Sequence, residues 1–138
     1  MKFRTMLLAG LVAVSGCTTM SGTKTGDSSP ATPRPTGGNA RMVGGLITGS
    51  LGEGFGSGDR KKALEAEYRA LEYTPSGQAV TWSGDRAGRS GDVVAAQPYR
   101  VGSQDCRQYT HRVVINGTTR TARGTACRNV DGSWATLS

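Results

Sequence analysis

Two cysteines stand at equal distances from an Asn-Gly pair, and that symmetry restricts the fold more than any other feature of the sequence. A type I′ turn needs positive φ at both central residues, which asparagine and glycine tolerate, so Asn116-Gly117 is the strongest turn signal in the chain. With these as the central pair, opposed residues have numbers summing to 233, and Cys106 and Cys127 satisfy that sum. Counting outward from a hydrogen-bonded Ile115–Thr118 pair puts the cysteines at a non-hydrogen-bonded position, where antiparallel strands come closest. A β-bulge would spoil the count. Together with the export signal described below, the register predicts a Cys106–Cys127 disulfide, with a free-thiol or catalytic pair as the competing reading. Closing about 22 residues is worth about 3 kcal/mol in the loop-entropy picture.

Around this hairpin, short β-rich runs separated by turns cover Gln78 to Trp82, Asp92 to Val101, Cys106 to Ile115, Thr118 to Val130 and Ser133 to Leu137. Asp131-Gly132 proposes a second hairpin that sets Trp134 across from Asn129. Upstream, Asp59 is a plausible N-cap for a helix over Arg60 to Tyr73, with Leu64, Tyr68 and Leu71 in one stripe flanked by Ala63 and Ala70. Thr74-Pro75-Ser76-Gly77 stops it, and Lys61, Lys62, Glu65, Arg69 and Glu72 read as its solvated face. The expected fold is α+β: one N-terminal amphipathic helix, then a small antiparallel β-meander of four or five strands with a cross-strand disulfide. Trp82, Trp134, Tyr99 and Tyr109 are expected to fill a small core.

The amino end reads as an address. Lys2 and Arg4 precede an apolar run from Thr5 to Val14 that is too short to span a bilayer, and Val14-Ser15-Gly16-Cys17 has the spacing of a bacterial lipobox. Residues 1–16 are then a lipoprotein signal peptide, and Cys17 carries a diacylglycerol and an N-acyl chain. Two or three acyl chains give lasting attachment where one gives only reversible binding, so the membrane partner is reached through the anchor. Thr18, rather than Asp, follows the cysteine, as in lipoproteins released to the outer membrane. Residues 17–41 form a tether of Thr, Ser, Gly and Pro that buries too little to order itself and reaches at most roughly 75 Å. Residues 42–58 interleave Gly44, Gly45, Gly49, Gly52, Gly54, Gly56 and Gly58 with Val43, Leu46, Ile47, Leu51 and Phe55. Gly45 with Gly49 and Gly52 with Gly56 have the Gly-x-x-x-Gly spacing of a close helix–helix contact. Self-association or shallow membrane contact is one reading of this tract, and a flexible linker is the other. Residues 59–138 are the helix plus β domain.

Catalytic and metal chemistry start poorly in a chain of 138 residues with 1 His and 3 Cys. His111 shares a strand face with Tyr109, Val113 and Ile115, and no motif supplies a nucleophile and orienting acid for it, so a packed histidine is the expectation. No cofactor beyond the covalent lipid and no metal is expected. The net charge of +7 is scattered, and the export signal disfavours nucleic acid as a partner. Residues 74–138 hold eight Arg and no Lys. Arg107, Arg112, Arg120, Arg123 and Arg128 are candidate contacts for an anionic partner, against the plainer reading of a solvated face that discourages edge aggregation. Asn116-Gly117-Thr118 also matches a glycosylation sequon, read here as a turn.

Cys106-Arg107-x-Tyr109, then Gly124-Thr125-Ala126-Cys127-Arg128, then Asp131-Gly132-x-Trp134, behind a lipobox, a glycine tract and an Asp59-Arg60 helix, resembles the bacterial 17-kilodalton surface antigen family of outer-membrane lipoproteins. The resemblance runs from about residue 42 to the end. It implies an antigenic outer-membrane lipoprotein with a glycine-zipper segment and a small β-rich domain, with Cys17 as the lipid site and Cys106 and Cys127 as the motif's cysteine pair. Glu53 and the irregular glycine spacing depart from a clean zipper. The expected function is a non-enzymatic structural or interaction module of the cell envelope. The alternative is a binding module on the Arg-rich sheet, a protease inhibitor or a receptor for anionic envelope polymers.

Overall fold

The computed structural model describes residues 41–137. The signal peptide, Cys17 and all of the tether before Arg41 lie outside the described residues. From Arg41 the chain forms β1 (Met42–Val43), two 3-10 turns (Leu46–Thr48 and Ser50–Gly52), α1 (Ser57–Glu72), β2 (Ala79–Ser83), β3 (Arg89–Ala95), β4 (Tyr99–Val101), β5 (Gln104–Ile115), β6 (Thr118–Arg128) and β7 (Trp134–Thr136). The sheet runs β1-β7-β6-β5-β3-β2, with β4 also paired to β5, and only the β1–β7 contact is parallel.

The central hairpin keeps the expected register. Ile115 faces Thr118, Cys106 faces Cys127, and Asn116 and Gly117 have φ of 48° and 83°. The cysteines form the disulfide with their Cα atoms 4.0 Å apart, the close approach of a non-hydrogen-bonded pair.

The α+β class holds, but the sheet has seven strands and the helix is not the first element. Two causes account for the count. The run expected over Asp92 to Val101 is interrupted at Gln97-Pro98, because proline has no N–H to give to a ladder. Partner numbers along β5 then sum to 204 on the β3 side and 205 on the β4 side, the one-residue insertion of a bulge. The other extra strand is β1, contributed by the glycine tract.

Two further expectations are corrected. Trp134 pairs with Arg128, not Asn129. Gly132, at φ 84°, and the Gly132 N–H to Asn129 carbonyl bond of 3.0 Å make a three-residue loop, and Asp131 accepts from both the N–H and the hydroxyl of Ser133. A one-residue change of register moves a side chain to the other face of a sheet, so Trp134 turns toward α1, where it is 3% exposed. The helix begins at Ser57 with Gly56 at the N-cap, and Asp59 lies inside its first turn.

One sheet face is covered and the other open. Val80, Trp82, Val93, Ala95, Tyr109, Val113, Ala126 and Trp134 pack against Ala63, Ala66, Ala70 and Leu71 of α1 and Ile47, Leu51 and Phe55 of the tract. Three alanines on the buried stripe bring the helix axis close to the sheet. On the open face Thr81, Thr119, Thr121, Arg112 and Arg123 are exposed. Among the described residues no helix is long and apolar enough to cross a membrane.

Candidate functional site

The glycine tract is neither a continuous helix nor a loose linker. Its 3-10 turns lie on the domain with Ile47 fully buried, and polar side chains hold its backbone from several sides. Arg60 donates to the Gly52 carbonyl at 3.1 Å, Arg89 to that of Gly54 at 2.6 Å, and Arg120 to those of Ser50 and Glu53 at 3.3 and 2.6 Å. Two glycines are required by close approach. A Cβ on Gly45, already at φ 138°, would lie 2.5 Å from Leu64 and 2.7 Å from a Glu67 oxygen, and one on Gly52 would collide with the Ile47 carbonyl. Gly45 and Gly52, one from each Gly-x-x-x-Gly pair that suggested a helix-packing stripe, are thus occupied by contacts within the chain, while Gly49 and Gly56 make no close approach.

The acceptor for the tract's N–H groups is Glu67. This helix residue is 0% exposed, and its carboxylate collects four donors. The Leu46 N–H and Ile47 N–H reach it at 3.2 and 3.1 Å, the Tyr109 hydroxyl at 3.1 Å and His111 Nδ1 at 2.7 Å. An indole N–H only donates, so the 2.9 Å bond from Trp82 Nε1 makes His111 Nε2 an acceptor. The neutral ring then carries its hydrogen on Nδ1 and donates it to Glu67. Thr136 closes the network at 3.0 Å from the Tyr109 hydroxyl, and burial with the nearby Glu67 charge holds that phenol far above its ordinary range. One carboxylate therefore joins the tract, α1, β5 and, through histidine, β2.

The five arginines expected to form one anionic-partner surface are divided between the two faces. Arg107 is 6% exposed, with its guanidinium donating to the carbonyls of Ala70, Leu71 and Thr74 at 3.0, 2.8 and 3.0 Å and to that of Ala96 at 2.8 Å. It satisfies the free carbonyls at the C-terminus of α1, where a cation also suits the helix dipole. That role removes it from any surface. Arg120 clasps the tract, and Arg128 pairs with Glu72 at 2.9 Å, whose carboxylate also accepts the Trp134 indole N–H at 2.7 Å. Glu72, expected on the solvated face, is thereby a packing partner. Only Arg112 and Arg123 stand on the open face, and Arg112 pairs with Asp92 at 2.6 Å. A shallow hollow of about 480 Å³ there includes Val94, Gln108, Thr110, Arg123 and Thr125 in its lining.

Asp59 is 3% exposed; it accepts the Asp85 N–H at 2.7 Å and pairs with Arg89 at 3.2 Å. The Asp85 N–H, opposed by burial and reinforced by Arg89, holds the carboxyl below its ordinary value. A folded-state value below the unfolded one adds stability that is present above the unfolded pKa, about 3.9, and is lost as pH falls through the folded value. Asp59→Asn is expected to be less stable than the native chain at neutral pH. Its further loss of stability between about pH 5 and pH 3 is expected to be smaller, as read from urea midpoints along a pH series.

Sequence reasoning did not single out Glu67, although the signal was present. It follows Ala63 by four residues and precedes Leu71 by four, so helix periodicity puts it on the apolar stripe. His111 was expected to be packed, and it is. Among the described residues no group of His, Cys, Asp and Glu has the arrangement of a metal site.

The fold and this network define a class, a disulfide-stapled α+β domain in which an open antiparallel sheet is backed by one helix and a glycine-rich strap. Residues 69–135 match the family described as 17 kDa outer membrane surface antigen. The chain is 42% identical over 85 residues to the 17 kDa surface antigen of Rickettsia bellii, covering 61% of this chain and 54% of that one. It is 44% identical over 82 residues to that of Rickettsia felis (59% and 52%) and 43% identical over 82 residues to that of Rickettsia conorii, with the same coverage. The chain thus spans about half the length of these curated relatives. No solved structure matches.

Proposed function

We propose that the protein is a lipid-anchored component of the outer membrane, attached through acyl chains on Cys17, and that residues 41–137 act as a non-enzymatic structural or interaction module of the envelope. The relatives are named surface antigens, which agrees with a position at the cell surface. One observation carries the non-enzymatic part. Among the described residues, every buried side-chain N or O atom has a partner inside the chain, and the residues a catalytic reading would enlist, His111, Glu67 and Tyr109, spend their polar atoms holding the fold. The division of the arginines between two faces weighs against the alternative of a binding module on an Arg-rich sheet.

Fractionation of bacteria expressing the full chain tests the anchor. The native sequence is expected in the membrane pellet with incorporated palmitate, and Cys17→Ser is expected to abolish the label and the processing. Native protein found soluble and unlabelled would contradict the proposal.

A further inference from the structure

Among the described residues the large apolar side chains left exposed are Val43, Tyr73, Tyr99, Val101, Val130 and Leu137. All but Tyr73 gather at one end of the open sheet face or at its rim. Residues paired across a ladder share a face, and Tyr99 pairs with Cys106, Cys106 with Cys127, Cys127 with Ala135, and Ala135 with Val43. This row crosses β4, β5, β6, β7 and β1, a width of roughly 20 Å at the usual spacing of strands. The buried disulfide forms its floor, with Tyr99 and Val43 exposed at its ends. Val101, opposite Gln104, flanks the row on one side. Leu137 flanks it on the other, its N–H donating to the Thr125 carbonyl at 2.8 Å. Val130, at the tip of the β6–β7 hairpin, is fully exposed.

We propose that this strip is a membrane-contact surface, by which the domain rests on the anionic phospholipid headgroups of the bilayer holding its own acyl anchor. The inference rests on the anchor reading above. Three observations select a lipid surface as the occupant. The segment bearing Cys17 joins the domain at Arg41, two residues before Val43, so the anchor tethers the rim of the strip itself. The charge is complementary. Arg41 and Arg123 are exposed; Arg123 lies on the same face of β6, four residues before Cys127, with no ion pair among the described residues. Among the described residues the carboxylates around the strip are each paired or hydrogen-bonded: Asp92 with Arg112, Asp105 with Arg100, and Asp131, beside Val130, with Ser133. The composition also suits an interface rather than insertion: four aliphatic side chains, one tyrosine, and polar neighbours such as Gln104 and Thr125.

The test uses the full-length acylated protein in vesicles of phosphatidylethanolamine and phosphatidylglycerol doped with lipid brominated near the headgroup. Val130→Trp places a reporter at the strip and Thr121→Trp one at the far end of the same face. Both positions are exposed, and the native Trp82 and Trp134 are buried and give a constant background. Bromine quenching of the added tryptophan is expected to be about twofold or more stronger at position 130 than at position 121. Equal quenching at the two positions in acylated protein overturns the inference and leaves the anchor intact. A spectral shift at position 130 that follows protein concentration and ignores bromine would assign the strip to a second copy, and also overturns it. Unacylated mass in the same sample shows instead that the anchor reading itself has failed, and the inference with it.

Discussion

Replacing Glu67 by alanine is expected to lower the unfolding free energy by about 4 kcal/mol, the size seen when a buried polar network loses its central acceptor. The four donors that converge on this carboxylate, two backbone N–H groups, a phenol and an imidazole, would lose their shared acceptor in the buried core. Small domains have a total stability of about 5–15 kcal/mol, so such a loss takes this one close to its limit. Glu67→Gln is the informative companion. It keeps the shape and one acceptor oxygen, but sets an NH2 group against donors, so it too is expected to destabilise. Urea unfolding followed by tryptophan fluorescence reads both variants. A change below about 1 kcal/mol in Glu67→Ala would mean that the network holds nothing together.

The disulfide gives the second large effect. Replacing Cys106 and Cys127 together by alanine is expected to cost about 3 kcal/mol, because the bond closes a loop in the unfolded chain. The two residues are separated by 21 positions and joined across the ladder between β5 and β6. Reductant is expected to lower the Tm of the native protein to that of the double variant and to leave the variant unchanged. The substitution also removes the floor of the exposed apolar row, so fold and surface are expected to weaken together. A reductant-insensitive Tm in the native chain would contradict the assignment.

What could be read in advance was set by local chemistry. The Asn116-Gly117 turn fixes its register through φ alone, and one such turn was enough to place Cys106 opposite Cys127. The second hairpin was misplaced by one residue because Gly132 and the Asp131–Ser133 bonds make a three-residue loop, whose length is not written in the Asp-Gly pair alone. The glycine tract was ambiguous for a physical reason. Glycine spacing fits a helix stripe, a linker and a strap equally, and the choice is made by Glu67, Arg60, Arg89 and Arg120, all remote in sequence. The arginines were legible as residues but not as a surface, since alternation along β5 and β6 sends Arg107, Arg120 and Arg128 to the covered face and Arg112 and Arg123 to the open one. A buried Glu on an alanine-rich helix stripe was the clearest signal passed over.

Intact mass measurement of the protein extracted from membranes reads the anchor and the disulfide together. The expected species is a chain beginning at Cys17, heavier than its residues by a diacylglycerol and an N-linked acyl group, and lighter by two hydrogens for one disulfide. An unprocessed chain with its first residues in place and no acyl mass would contradict that expectation.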